Sequence, residues 1–521
     1  MTSSLGLFRP SEAALSASRT TVASLFRARV EQQPDAVAVE FEGVSLSYGG
    51  LLERVNNLAW VLCSRGIGRG DRIGVLSRNR PEYLEIELAA ATLGAAAACL
   101  NCRLGGPELA HSVALVAPKI VIAEDGLDAR LDGLDLPPHE RLLLGEPYEQ
   151  LLRVDSGGEP PLAAEPEDGL VILYTSGTTG FPKAAVVSHR AMIARALVFT
   201  AELGIAPADG FIAWPPFYHM ASTDQALATL LWGGRVIVVD GYRPEPIIDA
   251  LERHSIGWCV LIPGMIEPFI TALKARSPLI RGVRVCGAMA DLVPPQQIAD
   301  VTRLLGAPYL NSFGATETGL PPGTRALIPA GERPGALSKR QSAFCEVKLV
   351  GPSDDRVEPA EPGELAIRGP TLFSGYWNAD ETNAHDFRGG WFHMGDVFRR
   401  NADGTLDFVD RAKYMIKTGG ENVYPAEIER VLLAEPRVLD AAVVRAPDAR
   451  WGETPVAFVA RRDESLEAEH LLASCRRELA GYKQPSRIVF IAFDAFPRST
   501  SGKIQRHELE RRLALAREAN A

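Results

Sequence analysis

The sequence predicts an α/β protein with a large N-terminal domain of mainly parallel sheets flanked by helices, a β-rich subdomain and a small mobile α/β C-terminal lid domain. Strand-like apolar runs alternate with helix-like segments through most of the chain, as Arg72–Leu76 and Pro81–Leu93 illustrate. Such alternation is typical of parallel sheets that carry helices on both faces. From about Gly363 the pattern changes to short strands and turns, which predicts the β-rich subdomain.

A charged connector at residues 410–413 separates this large body from a terminal segment that has an alternation of its own. The terminal segment is long enough to form a small domain. Two domains joined by one short connector predict a lid that moves. The predicted boundaries are 1–410 for the N-terminal domain, 411–413 for the hinge and 414–521 for the lid.

Composition and charge exclude several classes of protein. The net charge of −10 over 521 residues disfavours nonspecific nucleic-acid binding, which requires a basic surface. Residues 1–20 lack the apolar core of a signal peptide. The most apolar segment, residues 86–100, is too short to span a bilayer and is interpreted as a buried helix. We therefore expect a cytoplasmic protein with no nucleic-acid partner and no transmembrane segment, and a homodimer stays open.

Seven dispersed cysteines favour a reducing compartment over a disulfide framework. Cys99 and Cys102 form a Cys-x-x-Cys pair, but no second pair or nearby histidine completes a zinc site. Their flanks are rich in alanine. We expect core cysteines here rather than a redox or metal site.

A loop rich in hydroxyl groups and glycine follows the apolar run at residues 170–173. Glycines let backbone N–H groups turn toward an anion, hydroxyl groups donate to phosphate oxygens, and a lysine adds a movable positive charge. The pattern predicts a polyphosphate-binding loop, although it lacks the contiguous Gly-Lys-Ser/Thr of a Walker loop. The alternative is a solvated turn of ordinary composition. The loop residues concerned are Thr175, Ser176, Gly177, Thr178, Thr179 and Lys183.

This loop resembles the signature loop of the acyl-adenylate-forming superfamily, and further motifs follow along nearly the whole chain in the family's order. One such match would be weak, but the ordered set identifies the chain as a member of the acyl- and aryl-CoA synthetase branch. The similar segments are Pro215-Pro216-Phe217-Tyr218-His219, Cys286-Gly287-Ala288-Met289, Asn311-Ser312-Phe313-Gly314-Ala315-Thr316-Glu317, Gly390-Trp391-Phe392-His393-Met394-Gly395-Asp396, Asp410-Arg411-Ala412-Lys413, Lys417-Thr418-Gly419-Gly420-Glu421-Asn422 and the terminal Pro497-Arg498-Ser499-Thr500-Ser501-Gly502-Lys503.

The resemblance implies an AMP-forming acid–CoA ligase. Such an enzyme joins a carboxylate to ATP, giving acyl-AMP and pyrophosphate, and then transfers the acyl group to CoA with release of AMP. The implied cofactors are ATP, Mg²⁺ and coenzyme A. A carboxylate is already ionised at neutral pH, so catalysis should depend on charge neutralisation and positioning rather than on a general base.

The resemblance also assigns residues to the nucleotide site. Glu317 would hold Mg²⁺, and Lys503 would bridge the incoming carboxylate and the α-phosphate. Asp396 and Arg411 would contact the ribose, with a surface ion pair as the alternative. The implied catalytic residues are Lys503, Thr175, Glu317 and His219. The implied ATP and AMP ligands are Thr175, Ser176, Gly177, Thr178, Thr179, Lys183, Gly287, Ala288, Asn311, Ser312, Phe313, Gly314, Thr316, Asp396, Arg411 and Lys503.

Two further sets of residues follow from the resemblance. For CoA, the resemblance implies that Gly419 and Gly420 leave room for the pantetheine arm. An aromatic face with cations suits the adenine and phosphate groups of CoA. Without the resemblance, Trp451 would more often be a packing residue. The implied hinge residue is Lys413. The implied CoA ligands are Lys417, Gly419, Gly420, Arg450, Trp451 and Tyr482. The implied acyl pocket comprises Phe217, His219, Met220, Ser222, Met265, Gly287 and Gly314.

The sequence departs from the family pattern at Ala184, Phe313, Met394 and Tyr414. None of these removes a charge that the mechanism requires, so we expect activity to survive. The alternatives that stay open are a long-chain fatty-acid–CoA ligase, an enzyme that loads an acyl carrier protein, and a catalytically dead nucleotide-binding regulator. Family members that activate amino acids carry an aspartate directly after the pocket aromatic residue, where it binds the substrate ammonium group. Here Tyr218 follows Phe217, so the resemblance disfavours amino acids as substrates.

The polar run Ser222, Thr223 and Asp224 bears on the substrate. If these side chains line the acyl tunnel, burying a long alkyl chain against them is unfavourable, and we expect a short-to-medium-chain, aromatic or cyclic acid. The alternative is that they face away and cap a helix that starts at Gln225.

Overall fold

The structure is a computed structural model that describes residues 10–153, 158–175, 181–419, 421–448, 450–498 and 504–518. They fall into two units. The first comprises residues up to 199 together with 206–243 and 370–379, and the second comprises 200–205, 244–369 and the residues from 380 onward. Both units are built from α/β layers, which confirms the predicted fold class.

The first unit contains eight α-helices and ten strands among its described residues. The helices are α1 (Glu12–Ala17), α2 (Val22–Gln32), α3 (Tyr48–Ser64), α4 (Pro81–Leu93), α5 (Gly106–Val116), α6 (Glu146–Leu152), α7 (His189–Leu203, whose last turn belongs to the second unit) and α8 (Met220–Trp232). The strands are β1 (Val37–Phe41), β2 (Val44–Ser47), β3 (Arg72–Leu76), β4 (Ala96–Cys99), β5 (Ile120–Ala123), β6 (Glu140–Leu143), β7 (Gly169–Thr175), β8 (Lys183–Ser188), β9 (Gly210–Ala213) and β10 (Val236–Val238).

The larger sheet of this unit has the strand order β6-β5-β3-β4-β7-β8. Its neighbours pair in parallel except β8, which runs antiparallel to β7. The remaining strands pair in the order β9-β10-β1-β2, with only β2 antiparallel. Parallel strands buried on both faces explain the continuous apolar runs that the sequence shows.

The apolar segment at residues 86–100 is a helix only in its first part. Helix α4 begins at Pro81, whose fixed φ suits the first helical position, and nearly all of it is buried. Gly94 then adopts a left-handed φ of 68°, which ends the helix, and β4 begins at Ala96. The prediction of one buried helix was therefore wrong for the second half of the segment, because Gly94 ends the helix and a strand follows it.

The second unit carries the other helices and strands of the described chain. The helices are α9 (Pro244–Arg253), α10 (Ile266–Arg276), α11 (Pro295–Leu305), α12 (Asp380–Asp386), α13 (Pro425–Leu433), α14 (Ala468–Glu478) and α15 (Arg506–Glu518). The strands are β11 (Ile256–Cys259), β12 (Val283–Cys286), β13 (Tyr309–Leu310), β14 (Phe313–Ala315), β15 (Gly319–Gly323), β16 (Leu327–Ile328), β17 (Glu346–Val350), β18 (Pro362–Arg368), β19 (Phe392–Arg400), β20 (Leu406–Arg411), β21 (Ile416–Thr418), β22 (Glu421–Val423), β23 (Val438–Asp448), β24 (Gly452–Arg461) and β25 (Ile488–Phe490).

Strand direction changes along the second unit. Strands β11, β12 and β13 pair in parallel, and β16 closes against β13 in the antiparallel sense. Strands β17 to β20 form an antiparallel sheet in chain order, which is the β-rich region expected from about Gly363. The last sheet has the order β22-β21-β24-β23, with β25 beside β24.

Both faces of the long β23–β24 pair are buried. Val443 and Val459 belong to one apolar cluster, which includes residues of α13 and α14, whereas Val444 and Phe458 belong to a second cluster with residues of α15. Because side chains alternate between the two faces of a strand, two adjacent valines enter different cores.

All seven cysteines are free, and both Cys99 and Cys102 are buried, as expected for core cysteines. Among the described residues, no three metal-ligating side chains come together. No helix in the described part of the chain has the length and apolar character needed to cross a membrane.

Candidate active site

Thr175 and Lys183 occupy the two ends of a strand pair in the first unit. Thr175 ends β7, Lys183 begins β8, and the two residues are direct partners in the antiparallel register. Both are half-buried. The hairpin therefore places a hydroxyl group and an ammonium group side by side at the start of the predicted phosphate loop.

The side chain of Lys183 lies against an aromatic ring from a distant part of the sequence. Its Nζ is 4.5 Å from the centroid of the Tyr376 ring. The segment around Tyr376 is held to β8 by backbone hydrogen bonds, from Val186 to Gly375 and from Trp377 to Ala184. Sequence reasoning did not find Tyr376, since nothing local predicts that residues almost two hundred positions apart pair.

The predicted aromatic-histidine segment forms the turn before α8. Phe217 is fully buried and its ring stacks on Tyr83 with centroids 5.2 Å apart. Asn79 fixes this turn, because its side-chain oxygen accepts from the Phe217 N–H at 2.9 Å and its amide donates to the Pro215 carbonyl at 2.8 Å. His219 occupies the N-cap position of α8. Sequence reasoning missed Asn79 and Tyr83.

Helix α8 begins at Met220, so Ser222, Thr223 and Asp224 lie inside its first turns and are buried. The alternative of a helix starting at Gln225 was therefore wrong. Ser222, which the sequence assigned to the acyl pocket, is 0% exposed, and its hydroxyl has no hydrogen-bond partner in the described structure. Asp224 instead pairs with Arg195 of α7.

In the second unit, the Gly287–Ala288 loop follows β12 and its carbonyl groups are tied down. The Trp258 indole N–H donates to the Gly287 carbonyl at 2.9 Å, and the Tyr309 hydroxyl donates to the Ala288 carbonyl at 2.8 Å. Gly287 has a φ of 79°, and a Cβ there would lie 2.1 Å from the Tyr309 ring. Only glycine fits this position. Met265, assigned to the acyl pocket, is half-buried at the N-cap of α10 in the same unit.

The Asn311–Phe313 segment joins β13 to β14. Asn311 and Ser312 are buried, and the Asn311 amide donates to the Ser338 carbonyl at 3.1 Å. The ring of Phe313 stacks on Phe408 with centroids 5.2 Å apart and is half-buried. One face of this ring therefore serves packing.

Thr316 and Glu317 lie in the turn between β14 and β15, and both are half-buried. The turn is closed by Thr318, whose backbone N–H donates to the Ala315 carbonyl and whose hydroxyl accepts from the Ala315 N–H, each at 3.0 Å. A Cβ on Gly314 would lie 2.1 Å from the Gly319 carbonyl oxygen, so this strand pair requires glycine. The geometry presents Glu317 at the tip of a tight hairpin.

Asp396 and Arg411 face each other on β19 and β20. They are register partners, and the Arg411 Nε lies 3.1 Å from a carboxylate oxygen of Asp396. The Asp396 side chain is 2% exposed, so this is not the surface ion pair considered from the sequence. The pKa of Arg411 is raised above its ordinary value, chiefly by Asp396, and Glu317 acts in the same direction. The second unit thus brings Asp396, Arg411 and Glu317 into one electrostatic cluster.

Lys413 lies in a short 3-10 turn, Ala412–Tyr414, directly after β20. Its Nζ is 5.0 Å from the Tyr414 ring, and its carbonyl accepts a hydrogen bond from Arg445. Asp410, just before the turn, is buried, and burial raises its pKa to about 6. The role of Lys413 as a hinge stays a prediction.

Gly419 and Trp451 are in close contact. The Gly419 N–H donates to the Trp451 carbonyl at 2.8 Å, and a Cβ on Gly419 would lie 2.9 Å from the indole ring. Gly419 also has a positive φ of 59°. Lys417, two residues earlier on β21, is exposed, and its backbone N–H donates to Glu453.

An exposed aromatic and cationic surface surrounds this contact. The Arg450 guanidinium lies 4.4 Å from the Trp451 ring centroid, and the indole is 46% exposed. Asp448 fixes the turn by accepting from the backbone N–H groups of both residues. Tyr482 is also exposed, at 40%. Arg450 and Trp451 offer a cation and an exposed stacking face, and the assignment of these three side chains to CoA stays a prediction.

Six of the predicted site residues lie outside the described residues. They are Ser176, Gly177, Thr178, Thr179, Gly420 and Lys503. Their assignments stay predictions.

Comparisons with known proteins agree with this architecture. Residues 26–377 match the model of the AMP-binding enzyme family, and residues 427–503 match the AMP-binding enzyme C-terminal domain. Feruloyl-CoA synthase of an Amycolatopsis species is 35% identical over 497 residues, covering 93% of this chain and 97% of that protein. Indoleacetate–CoA ligase of Aromatoleum aromaticum is 32% identical over 499 residues, covering 92% and 96%.

A solved structure supports the fold. The anthranilate CoA ligase AuaEII in complex with anthranoyl-AMP superimposes with a TM-score of 0.85 at 21% identity, covering 96% of this chain and 98% of that one. At this identity the likeness concerns the fold alone. The family matches together span most of the sequence. The chain belongs to the AMP-binding enzyme family.

Proposed function

We propose that this protein is an AMP-forming acid–CoA ligase whose substrate is an aromatic or ring-bearing carboxylic acid. The observation that carries the proposal is the similarity, over more than nine-tenths of the chain, to relatives named for activating ferulate and indoleacetate. Both of those acids place an aromatic ring a short distance from the carboxylate.

The adenylation step needs positive charge rather than a base. Attack of a carboxylate on the α-phosphate brings two anions together, and cationic side chains lower that barrier. Lys183, at the base of the phosphate loop, would neutralise phosphate charge. Lys503 would do so at the reacting carboxylate and α-phosphate. The buried Asp396 would accept from ribose hydroxyl groups, and Arg411, held by Asp396, would donate to the same sugar.

Glu317 fits the role of a magnesium ligand. Mg²⁺ prefers oxygen ligands and is commonly held by one or two carboxylates together with the phosphates of the substrate. Glu317 supplies one carboxylate at the tip of the β14–β15 hairpin, and the substrate phosphates would supply further oxygen ligands. Bound there, Mg²⁺ would neutralise charge on the phosphates.

Buried polar groups on α8 support a short or ring-bearing acid. Ser222 and Gln225 are almost fully buried, and the Ser222 hydroxyl and the Gln225 side-chain oxygen have no hydrogen-bond partners in the described structure. An alkyl chain packed against such groups would leave them unsatisfied, which costs free energy. A ring carrying polar substituents avoids this cost.

The second half-reaction would use the surface around Trp451. The absence of a side chain at Gly419 lets the Trp451 indole pack directly against the backbone, and this exposed indole with Arg450 suits a CoA nucleotide. The hinge at residues 411–413, the lid at residues 414–521 and free CoA as the acceptor all belong to this proposal. Loading of a carrier protein is the second candidate.

Acid-dependent ATP–pyrophosphate exchange tests the first step. The panel is ferulate, indoleacetate, benzoate and fatty acids from butyrate to palmitate, each with and without Mg²⁺. Thioester formation is then measured with free CoA and with a pantetheinylated carrier protein. We expect the highest kcat/KM for a ring-bearing acid with free CoA. A steady rise toward palmitate, or exchange with none of the acids, would contradict the proposal.

A further inference from the structure

Lys339 is a fully buried lysine that the mechanism above does not use. It is 0% exposed, and its backbone is fixed to β20 by hydrogen bonds with Leu406 in both directions, at 2.7 and 2.9 Å. Its Cβ lies 3.1 Å from the position that a Cβ on Gly323 would take, and Gly323 is the strand partner of Phe313. The side chain therefore runs beneath the Phe313 strand.

The ammonium group of Lys339 joins two loops that are far apart in sequence. Its Nζ lies 2.6 Å from a carboxylate oxygen of Asp291, which sits in the turn just after the Gly287–Met289 loop. The same Nζ donates to the side-chain oxygen of Asn311. The Asn311 amide in turn donates to the carbonyl of Ser338, the neighbour of Lys339.

Both the oxygen and the nitrogen of the Asn311 side-chain amide have hydrogen-bond partners within the protein. Its oxygen accepts from Lys339 and its nitrogen donates to Ser338, so the amide has a fixed orientation. The sequence assigned Asn311 and the Gly287–Ala288 loop to the nucleotide. Lys339 contacts Asn311 directly and the Gly287–Ala288 loop through Asp291, and its own side chain is buried.

We infer that Lys339 is a positioning residue for the nucleotide site: it fixes the Gly287–Met289 loop, through Asp291, relative to the Asn311–Phe313 segment. This inference rests on the proposed function, since it takes both segments as part of the ATP site. Lys339 acts through Asp291 and Asn311 and does not touch the nucleotide.

The first test replaces Lys339 by methionine, which has a similar length and no charge. Asp291 is one-quarter exposed, so its carboxylate can regain water when the ammonium is removed. We expect Lys339→Met to stay folded with little change in the midpoint of thermal unfolding. Its Kd for ATP, titrated without acid or CoA, should rise about tenfold, whereas kcat at saturating ATP should change less than about threefold.

Lys348→Met is the matched control, because Lys348 lies on β17 against the Trp391 ring, away from these segments. It should leave the Kd for ATP unchanged. A Lys339→Met protein that is stable and binds ATP like the unaltered chain would overturn the inference while leaving the proposed function intact. An unaltered chain that binds no ATP would contradict both.

A second pair of variants tests the ionic contact itself. Asp291→Asn leaves the Lys339 ammonium buried without its counter-charge, which should lower the unfolding midpoint strongly. Adding Lys339→Met to that variant removes the uncompensated charge and should recover most of the loss. If the double variant is as unstable as Asp291→Asn alone, Lys339 and Asp291 are not coupled and the inference fails.

Discussion

The guanidinium group of Arg195 meets the carboxylate of Asp224 at 3.1 Å, and their side chains are only 1% and 2% exposed. Arg195 also donates to the Thr371 carbonyl at 3.0 Å. One buried arginine thus links α7, the helix α8 that follows His219, and the segment that leads to Tyr376. This ion pair holds together the parts of the first unit that carry predicted acyl and phosphate residues.

Replacing Asp224 by asparagine should destabilise the protein by about 3–5 kcal/mol, because it leaves an uncompensated charge on a buried guanidinium. The measurement is the free energy of unfolding in urea. Asp249→Asn is the control: Asp249 pairs with Arg276 at the surface, where both side chains are partly exposed, and its loss should cost less than about 1 kcal/mol. Equal effects of the two changes would contradict the prediction.

Glu87 should make stability depend on pH. It is fully buried beside Thr223 and Asp224, and burial raises its pKa to about 8 from an ordinary value of 4.5. The folded state then holds a proton that the unfolded state has lost. Its contribution is complete below the unfolded pKa and declines as pH rises to about 8, by about 1.4 kcal/mol per pH unit within that window.

Glu87→Gln should abolish this decline, so that the variant exceeds the unaltered protein in stability at pH 8 but not at pH 5. Urea unfolding across that range measures the difference. Glu53→Gln, at an exposed position of α3, serves as the control and should leave the slope unchanged. A Glu87→Gln profile parallel to that of the unaltered protein would show that Glu87 does not titrate in this window.

Tyr376 should position Lys183 through its ring. A cation over an aromatic face is worth about 0.5–2 kcal/mol, so Tyr376→Leu should raise the KM for ATP about two- to thirtyfold. Tyr376→Phe keeps the ring and should stay within about twofold of the unaltered enzyme. The assay is pyrophosphate exchange with a saturating acid. If leucine and phenylalanine behave alike, the ring face does not matter.

Lys503→Ala should reduce adenylation about 10²–10³-fold, since it removes the charge that offsets repulsion between two anions. Thioester formation from supplied acyl-AMP should fall much less, because that step separates the nucleotide from the acyl group. Rapid-quench measurement of both half-reactions decides the matter. Equal losses in both would exclude an adenylation-specific role for Lys503.

The sequence by itself determined the elements and the motifs. A short apolar run predicted β3, and an apolar segment with Pro81 at its start predicted α4, both with the bounds that the structure shows. Gly287 and Gly314, chosen by their motifs, occupy positions where a Cβ would collide with neighbouring atoms. These signals are readable because helix periodicity, caps and glycine requirements arise within a few residues of the chain.

Only the tertiary structure decided which side chains meet. The polar run at Ser222–Asp224 was compatible with a helix cap, but in the structure it lies inside α8. There Asp224 forms a buried ion pair with Arg195 of α7. Nothing in the sequence singles out Lys339, yet the structure encloses it between Asp291 and Asn311. Such contacts join residues far apart in the chain, and burial makes them decisive, since a buried charge is tolerated only beside its partner.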